Sequence, residues 1–350
     1  METSIRSKSR LNSARDLLDR GLIARDDLAE ISAVEARYTI GVSDHVAQLA
    51  AKYPQVAKQY IPQGAELEGT RGEWSDPIGD EIHSPVKGIV HRYPDRVLLK
   101  ATHVCAVYCR YCFRREMVGP GHDFLTSTDL AKAIDYIRAH RDIWEVILSG
   151  GDPMVLSERQ MAALIENLSA IEHVKVIRIH TRVPVADPKR ITAGVCAALN
   201  SKIAVYIVLH INHASEITPE VERAVCDLHA AGCTLLSQSV LLRGVNDDAD
   251  ILEDLMRRLV EMRVKPYYIH HPDMARGTQH FRLSVAHGQK ILRSLLGRMS
   301  GLCQPLYMLD IPGGHGKVPI NPYFIDMADD GRMIVEDYQG HRHYYDEDGA

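Results

Sequence analysis

A rhythm that begins near residue 96 most narrows what this chain can fold into. Short apolar, β-branched runs stand at RVLLKAT (96–102), WEVILSG (144–150), VKVIRIH (174–180), KIAVYIVLH (202–210), TLLSQSV (234–240), KPYYIHH (265–271) and LYMLDI (306–311). Between them lie stretches with apolar residues at helical spacing, such as DLAKAIDYIRAH, SERQMAALIENL, PEVERAVCDLHAAG, ADILEDLMRRLVEM and VAHGQKILRSLLGRM. After the second run the spacing is about 30 residues, the length of a βα unit. Apolar strands alternating with helices make a parallel sheet covered by those helices. Several runs end in polar or reactive residues: Ser149-Gly150-Gly151-Asp152, His180, His210 and Gln238, with Asp273 two residues past KPYYIHH. Barrels of βα units assemble their chemistry at the C-terminal ends of the strands. The pattern therefore favours a barrel, or part of one, over a doubly wound sheet.

The flanks differ from this rhythm. Residues 1 to about 60 read as helices interrupted at Gly21, Gly41 and Pro54, and 61–94 as an irregular connector anchored by Trp74, Ile78, Ile82 and Val90. MIVEDYQGHRHYYD near the C-terminus reads as a hairpin turning near Gln339-Gly340. The expected division is an N-terminal helical segment and linker (1–76), a barrel (77–300), and a C-terminal arm with hairpin (301–350). A net charge of −5 argues against a nucleic-acid binder held by phosphate contacts. No apolar run reaches about 18 residues, and the first residues lack the apolar core of a secretory signal. A cytoplasmic protein with neither a membrane nor a nucleic-acid partner is expected.

Seven cysteines without a signal sequence make a poor disulfide framework. Cys196, Cys226, Cys233 and Cys303 sit in apolar segments and read as buried bystanders. Cys105, Cys109 and Cys112 are different: THVCAVYCRYCFRR packs them into eight residues with C-x3-C-x2-C spacing just after a strand. Three thiolates in one loop can hold three irons of a [4Fe–4S] cube, leaving the fourth iron for a small molecule. Structural zinc needs a fourth ligand at suitable spacing, which neighbouring His103 does not supply. Farther on, DIPGGHGKVP (310–319) imitates a phosphate loop. Ile311 replaces its first glycine and Val318 its hydroxyl, so that reading fails. What remains is Lys317 on a glycine-rich arm.

With Tyr111 before the last cysteine, the loop resembles the cluster motif of radical S-adenosylmethionine enzymes, and SGGDP (149–153) resembles their second signature. The match goes further. SPVKGIVHRYPDRVLLKATHVCAVYCRYCFRR, LSGGDP, IHTRVPV, HINHASEIT, SQSVLLRGVND, YYIHHPD, GTQHFR and PGGHGKVP together resemble the lysine 2,3-aminomutase family over roughly residues 77–325. The resemblance implies an α/β fold, a partial (β/α)6 TIM-like barrel with an N-terminal helical segment and a C-terminal glycine-rich arm and hairpin. It implies three cofactors: a [4Fe–4S] cluster on Cys105, Cys109 and Cys112, S-adenosylmethionine, and pyridoxal 5'-phosphate on Lys317. The implied reaction moves the α-amino group of L-lysine to the β-carbon, started by a deoxyadenosyl radical.

The same resemblance distributes roles. Arg92 and Arg96 meet the pyridoxal phosphate group, Arg114 the substrate carboxylate, and Asp273 with Asp310 the distal ammonium of lysine. Ser149, Gly150, Gly151, Asp152, His210 and Gln238 contact S-adenosylmethionine, and Tyr111 its adenine. A flavodoxin or ferredoxin as electron donor and a homo-oligomer are also implied. Three departures stand out: Cys303 is the last cysteine, so the zinc-binding tail of longer members is expected to be missing; His270 replaces the family's usual tyrosine; and the chain is short. Its length is near that of relatives that make β-lysine for elongation factor P. That pathway, an aminomutase for glutamate or arginine, and a plain iron–sulfur electron-transfer protein remain open alternatives. His315 has no reading.

Overall fold

Each apolar run is a strand in the computed structural model, which describes residues 10–119 and 124–346. A two-residue ladder of β1 (Arg10–Leu11) and β2 (Val42–Ser43) comes first. The main sheet then holds β3 (Ile89–Tyr93), β4 (Arg96–Thr102), β5 (Glu145–Gly150), β6 (Val176–Thr181), β7 (Ala204–His210), β8 (Thr234–Val240), β9 (Lys265–His270), β10 (Leu306–Asp310) and β11 (Lys317–Pro319). Spatial order follows chain order throughout. Strands β4 to β10 are parallel, and β3 and β11 close the two edges antiparallel. An unreversed order belongs to a barrel wall, whereas a doubly wound sheet reverses at a switch point. Among the described residues no ladder joins β3 to β11, so the barrel is partial.

The sequence pattern explains why this wall has two different faces. Side chains alternate along a strand. In β6, Ile177 and Ile179 pack outward into the main core, while Arg178 and His180 face a cavity. In β7, Val205, Ile207 and Leu209 go outward, and Tyr206 and His210 inward. Six βα units run from β4 to β9. Their principal outer helices begin at Thr126, Ser157, Thr192, Thr218, Asp248 and Ser284, each accepting a bond from a backbone N–H of its own first turn. Each such cap contributes about 1 kcal/mol and fixes where the chain turns back.

The N-terminal region is helical as read, with α1 (Ala14–Asp19), α2 (Leu28–Arg37), α3 (Asp44–Lys52) and α4 (Pro54–Tyr60). Leu17, Ile31, Val46, Val56 and Tyr60 form a second core that takes in Val107 of the cysteine loop and Ala186 beyond β6. In the connector, Ile78 and Val90 are buried, but Trp74 and Ile82 are exposed, contrary to their expected anchoring role. Polar contacts hold that segment instead. At the C-terminus, β12 (Ile325–Met327), β13 (Met333–Glu336) and β14 (Arg342–Tyr345) form a three-stranded antiparallel sheet, with Gly340 in the turn at φ 87°. Residues 347–350 of the expected hairpin lie outside the described residues. All seven cysteines are free; Cys233 and Cys303 are buried as expected, and Cys226 is exposed. Among the described residues no helix is long and apolar enough to cross a membrane.

Candidate functional site

The cysteine loop follows β4 and is clamped from outside the barrel. Glu66, fully buried in the connector, takes Arg110 through Nε at 3.0 Å and is also paired with Arg115. Burial raises the Glu66 carboxyl, but the two guanidinium groups outweigh it and hold the acid below its usual range. Backbone bonds from Tyr108 N–H to the Gly41 carbonyl (2.9 Å) and from Arg110 N–H to the Gln59 carbonyl (2.8 Å) tie the loop to the N-terminal helices. Burial pushes all three loop thiols up, Cys112 to about 11, and neighbouring thiols add to the rise of Cys105 and Cys112.

These residues suit an iron–sulfur cube better than a single metal ion. Among the described residues no three His, Cys, Asp or Glu side chains converge on one point. A cube takes one thiolate per iron and needs no such convergence. The Gly150-Gly151 pair lets β5 end against the start of the loop. A Cβ on Gly150, whose φ is 113°, would lie 2.4 Å from the Thr102 carbonyl oxygen, and one on Gly151 2.3 Å from that of Val104. Only glycine permits this approach.

A cavity of about 540 Å³ occupies the inner face of the sheet. One wall is cationic. Arg114, two residues past Cys112, donates from Nε to Asp80 at 2.9 Å and from a terminal nitrogen to the Ser149 hydroxyl at 3.1 Å. Asp80 is buried and lies 3.6 Å from Lys100 and 3.7 Å from Arg92. Arg92 also donates to the Ile78 carbonyl at 2.5 Å. Arg96, at the opening residue of β4, stacks over the Tyr93 ring at 3.9 Å and lies toward the end of the cavity away from the cysteine loop.

Another wall is acidic. Asp310 ends β10 and pairs in register with Lys317, whose Nζ is 3.6 Å from its carboxylate. His270 Nδ1 lies 3.0 Å from the other Asp310 oxygen. Burial opposes the charge on Asp310, yet the His270 hydrogen bond and the Lys317 ammonium hold it below the usual range. Asp273 receives no hydrogen bond from any described residue and faces the same cavity. Burial and the neighbouring Asp310 charge push its carboxyl well up. The two carboxyls facing this cavity are thus shifted in opposite directions.

The glycine arm closes the seam between the sheet edges. Gly313, Gly314 and Gly316 have φ of 84°, 88° and 87°. Gly314 offers its carbonyl to His83 Nε2 at 2.9 Å, and Gly313 N–H donates to the Pro77 carbonyl. The Tyr93 hydroxyl of β3 accepts the Lys317 N–H of β11 at 2.9 Å. Lys317 Nζ itself reaches the Tyr268 ring at 5.9 Å from its centroid. His315 is exposed.

The structure gathers Arg92, Arg96, Arg114, Ser149, His210, Gln238, Asp273, Asp310 and Lys317 around one cavity. Four other residues expected to make contacts do not line that cavity. Gly150 and Gly151 pack against backbone. The Asp152 carboxylate is consumed by Met154 N–H, the Thr181 hydroxyl, Arg182 N–H and Val183 N–H. The Tyr111 hydroxyl is bonded to Arg182, and its ring meets Phe281 edge-on at 6.0 Å. Sequence reading missed Asp80, Lys100, Arg178 and Tyr268. Inward alternation along the strands could have found the last three. His180 was seen only as a strand end; its Nδ1 sits 3.1 Å from His210 Nε2, and burial keeps both rings neutral, His210 pushed down to about 3.

Comparison with known proteins agrees with this geometry. Residues 99–256 match the Radical SAM superfamily. The L-lysine 2,3-aminomutase of Clostridium subterminale is 41% identical over 285 residues, 81% of this chain and 68% of that protein. The enzyme of the same name from Fusobacterium nucleatum subsp. nucleatum is 40% identical, covering 81% and 67%. Glutamate 2,3-aminomutase from Clostridioides difficile is 37% identical, covering 80% and 66%. The chain is accordingly a radical S-adenosylmethionine aminomutase, which works with a [4Fe–4S] cluster and S-adenosylmethionine. The chain belongs to the lysine 2,3-aminomutase family.

Proposed function

We propose that this aminomutase acts on L-lysine and produces β-lysine, with pyridoxal 5'-phosphate carried on Lys317. The acid pair carries the substrate assignment. A half-buried carboxylate raised by burial and by its neighbour, with no donor among the described residues, asks for a cation. The ε-ammonium of lysine, placed between Asp273 and Asp310, lets both acids ionise. Glutamate would add a third negative charge to the same wall.

When bound, the cluster with S-adenosylmethionine supplies a carbon radical, and pyridoxal phosphate supplies a conjugated system that carries the migrating nitrogen. This chain's residues bind and orient. Cys105, Cys109 and Cys112 hold the cluster; Ser149, His210 and Gln238 face the S-adenosylmethionine space; Arg92 and Arg96 face the phosphate. Arg114 takes the substrate carboxylate, so that the two ends of lysine are held by different walls and its α and β carbons stay in register with the reacting groups. Lys317 must reach the substrate nitrogen and withdraw, and the φ values of its arm leave that freedom. Burial holds His180 and His210 below the usual imidazole range, so the pair adds no positive charge to the inner face of β6 and β7. A one-electron donor of the flavodoxin or ferredoxin type would reduce the cluster.

Anaerobic assays with the reconstituted cluster, S-adenosylmethionine, pyridoxal phosphate and dithionite test this reading. Lysine should yield β-lysine, with glutamate and arginine unchanged. Faster turnover of glutamate or arginine would overturn the lysine assignment.

A further inference from the structure

Lys100 is a buried cation that no role above employs. It stands on the inner face of β4, opposite Ser149 in the ladder. Its Nζ lies 3.6 Å from Asp80. The same carboxylate holds Arg114 through two nitrogens, each at 2.9 Å, and has Arg92 at 3.7 Å. The Asp80 side chain is 1% exposed, and those of Arg92, Lys100 and Arg114 are 10–11% exposed. Three cations crowd one buried anion, with Asp76 a further acid acting on Lys100 and Arg114, and positive charge remains in excess. Such an excess is costly until anions arrive.

In the proposed function the anions arrive with ligands: a phosphate at Arg92 and a carboxylate at Arg114. Arg114 then faces a conflict. Its Nε edge is the side best suited to a two-armed contact with a carboxylate, and Asp80 already occupies it. Releasing Arg114 would strand the Asp80 charge in the interior. Lys100 is the neighbouring cation that no ligand claims.

We propose that Lys100 is a positioning residue that takes over the Asp80 carboxylate as Arg114 turns to the carboxylate of an amino-acid substrate. This rests on the reading of Arg114 as the carboxylate clamp. Lys100 does not touch the substrate, yet its charge sets how readily Arg114 can bind it.

Calorimetric dissociation constants on the cofactor-loaded protein test the exchange, with L-lysine and 1,5-diaminopentane, which lacks the carboxylate, as probes. Lys100→Met should weaken L-lysine binding about 10-fold and leave the diamine within about 2-fold. Lys100→Arg, which keeps the charge, should retain L-lysine affinity. The double variant Asp80→Asn, Lys100→Met removes both charges and should return L-lysine binding to within about 3-fold of the parent. Equal weakening of both probes, or a double variant as weak as Lys100→Met, overturns the exchange and leaves a merely structural pair. A separate arm tests the clamp. If Arg114→Gln leaves the preference for L-lysine over the diamine unchanged, the carboxylate reading falls, whatever Lys100 does.

Discussion

The two walls of the cavity are opposites in charge and also in completeness. The cationic wall is largely closed on itself, although among the described residues Asp80 Oδ1 and Arg92 Nε lack a hydrogen bond: Arg114 has Asp80 and Ser149, Arg92 has Ile78 and lies near Asp80, and Lys100 lies near Asp80. The acidic wall is open: Asp310 has His270 and Lys317, while Asp273 has no donor among the described residues. A closed wall can hold its shape before ligands arrive and must exchange partners to bind. An open wall stores an unmet demand, visible in the raised Asp273 carboxyl. Complementarity to a molecule with a carboxylate at one end and an ammonium at the other follows from both walls together.

The largest expected effect lies where the open wall meets the arm. Lys317→Ala should abolish covalent pyridoxyl labelling by borohydride and lower turnover by about 1000-fold or more. A strong label elsewhere would remove Lys317 from its role. Next, Asp273→Asn should raise the KM for lysine by about 100-fold, the loss expected when one member of a buried charge contact is deleted. Norleucine, lysine without the ε-amine, should lose its disadvantage in that variant. Should lysine and norleucine still differ as in the parent, the ammonium is met elsewhere.

The acidic wall also predicts a proton count. A carboxyl raised in the folded protein gives stability that is full below its unfolded pKa and is lost as pH rises through the folded value. Asp273 therefore makes the ligand-free protein less stable above the usual carboxylate range. Asp310 has the opposite sign: its lowered value contributes stability above that range, lost as pH falls through it. Lysine binding lets Asp273 ionise, so it should release close to one proton at neutral pH. Calorimetry in buffers of different ionisation heat measures this, and Asp273→Asn should abolish it; no release in the parent would refute the raised Asp273 carboxyl.

The smallest effect tests the seam. A Cβ on Gly79 would come within 2.6 Å of Gly314 Cα, and Gly79 has φ 65°, whereas a Cβ on Gly21 meets nothing within 4 Å. Gly79→Ala should cost about 1–3 kcal/mol of stability and Gly21→Ala about 1 kcal/mol or less. Thermal melts of the two variants compare them directly; equal shifts would mean that the arm is not held by its contact with residues 77–83.

Much of this was legible beforehand because the relevant signals are local. Strand runs and the C-x3-C-x2-C loop are written in contiguous residues, and the seven parallel strands begin within two residues of the runs that announced them. The acid pair was legible only through family resemblance, since Asp273 and Asp310 are 37 positions apart. Asp80 was not legible at all: it looks like one more acid in an irregular connector, and only the fold brings it to Arg92, Lys100 and Arg114. Trp74 and Ile82 erred the other way, because apolar type does not determine burial where polar contacts hold a segment.

By itself, then, the sequence determined the order of strands and helices, the cysteine loop and the presence of a lysine on a glycine arm, all properties of short-range pattern. Tertiary structure alone decided which charges share a low-dielectric space. It assigned the Asp152 carboxylate to backbone capping, joined the sheet edges through Tyr93 and Lys317, and set Lys100 beside Asp80. The physical reason is that electrostatic roles depend on distance and desolvation. Both arise only when segments remote in the chain are packed together.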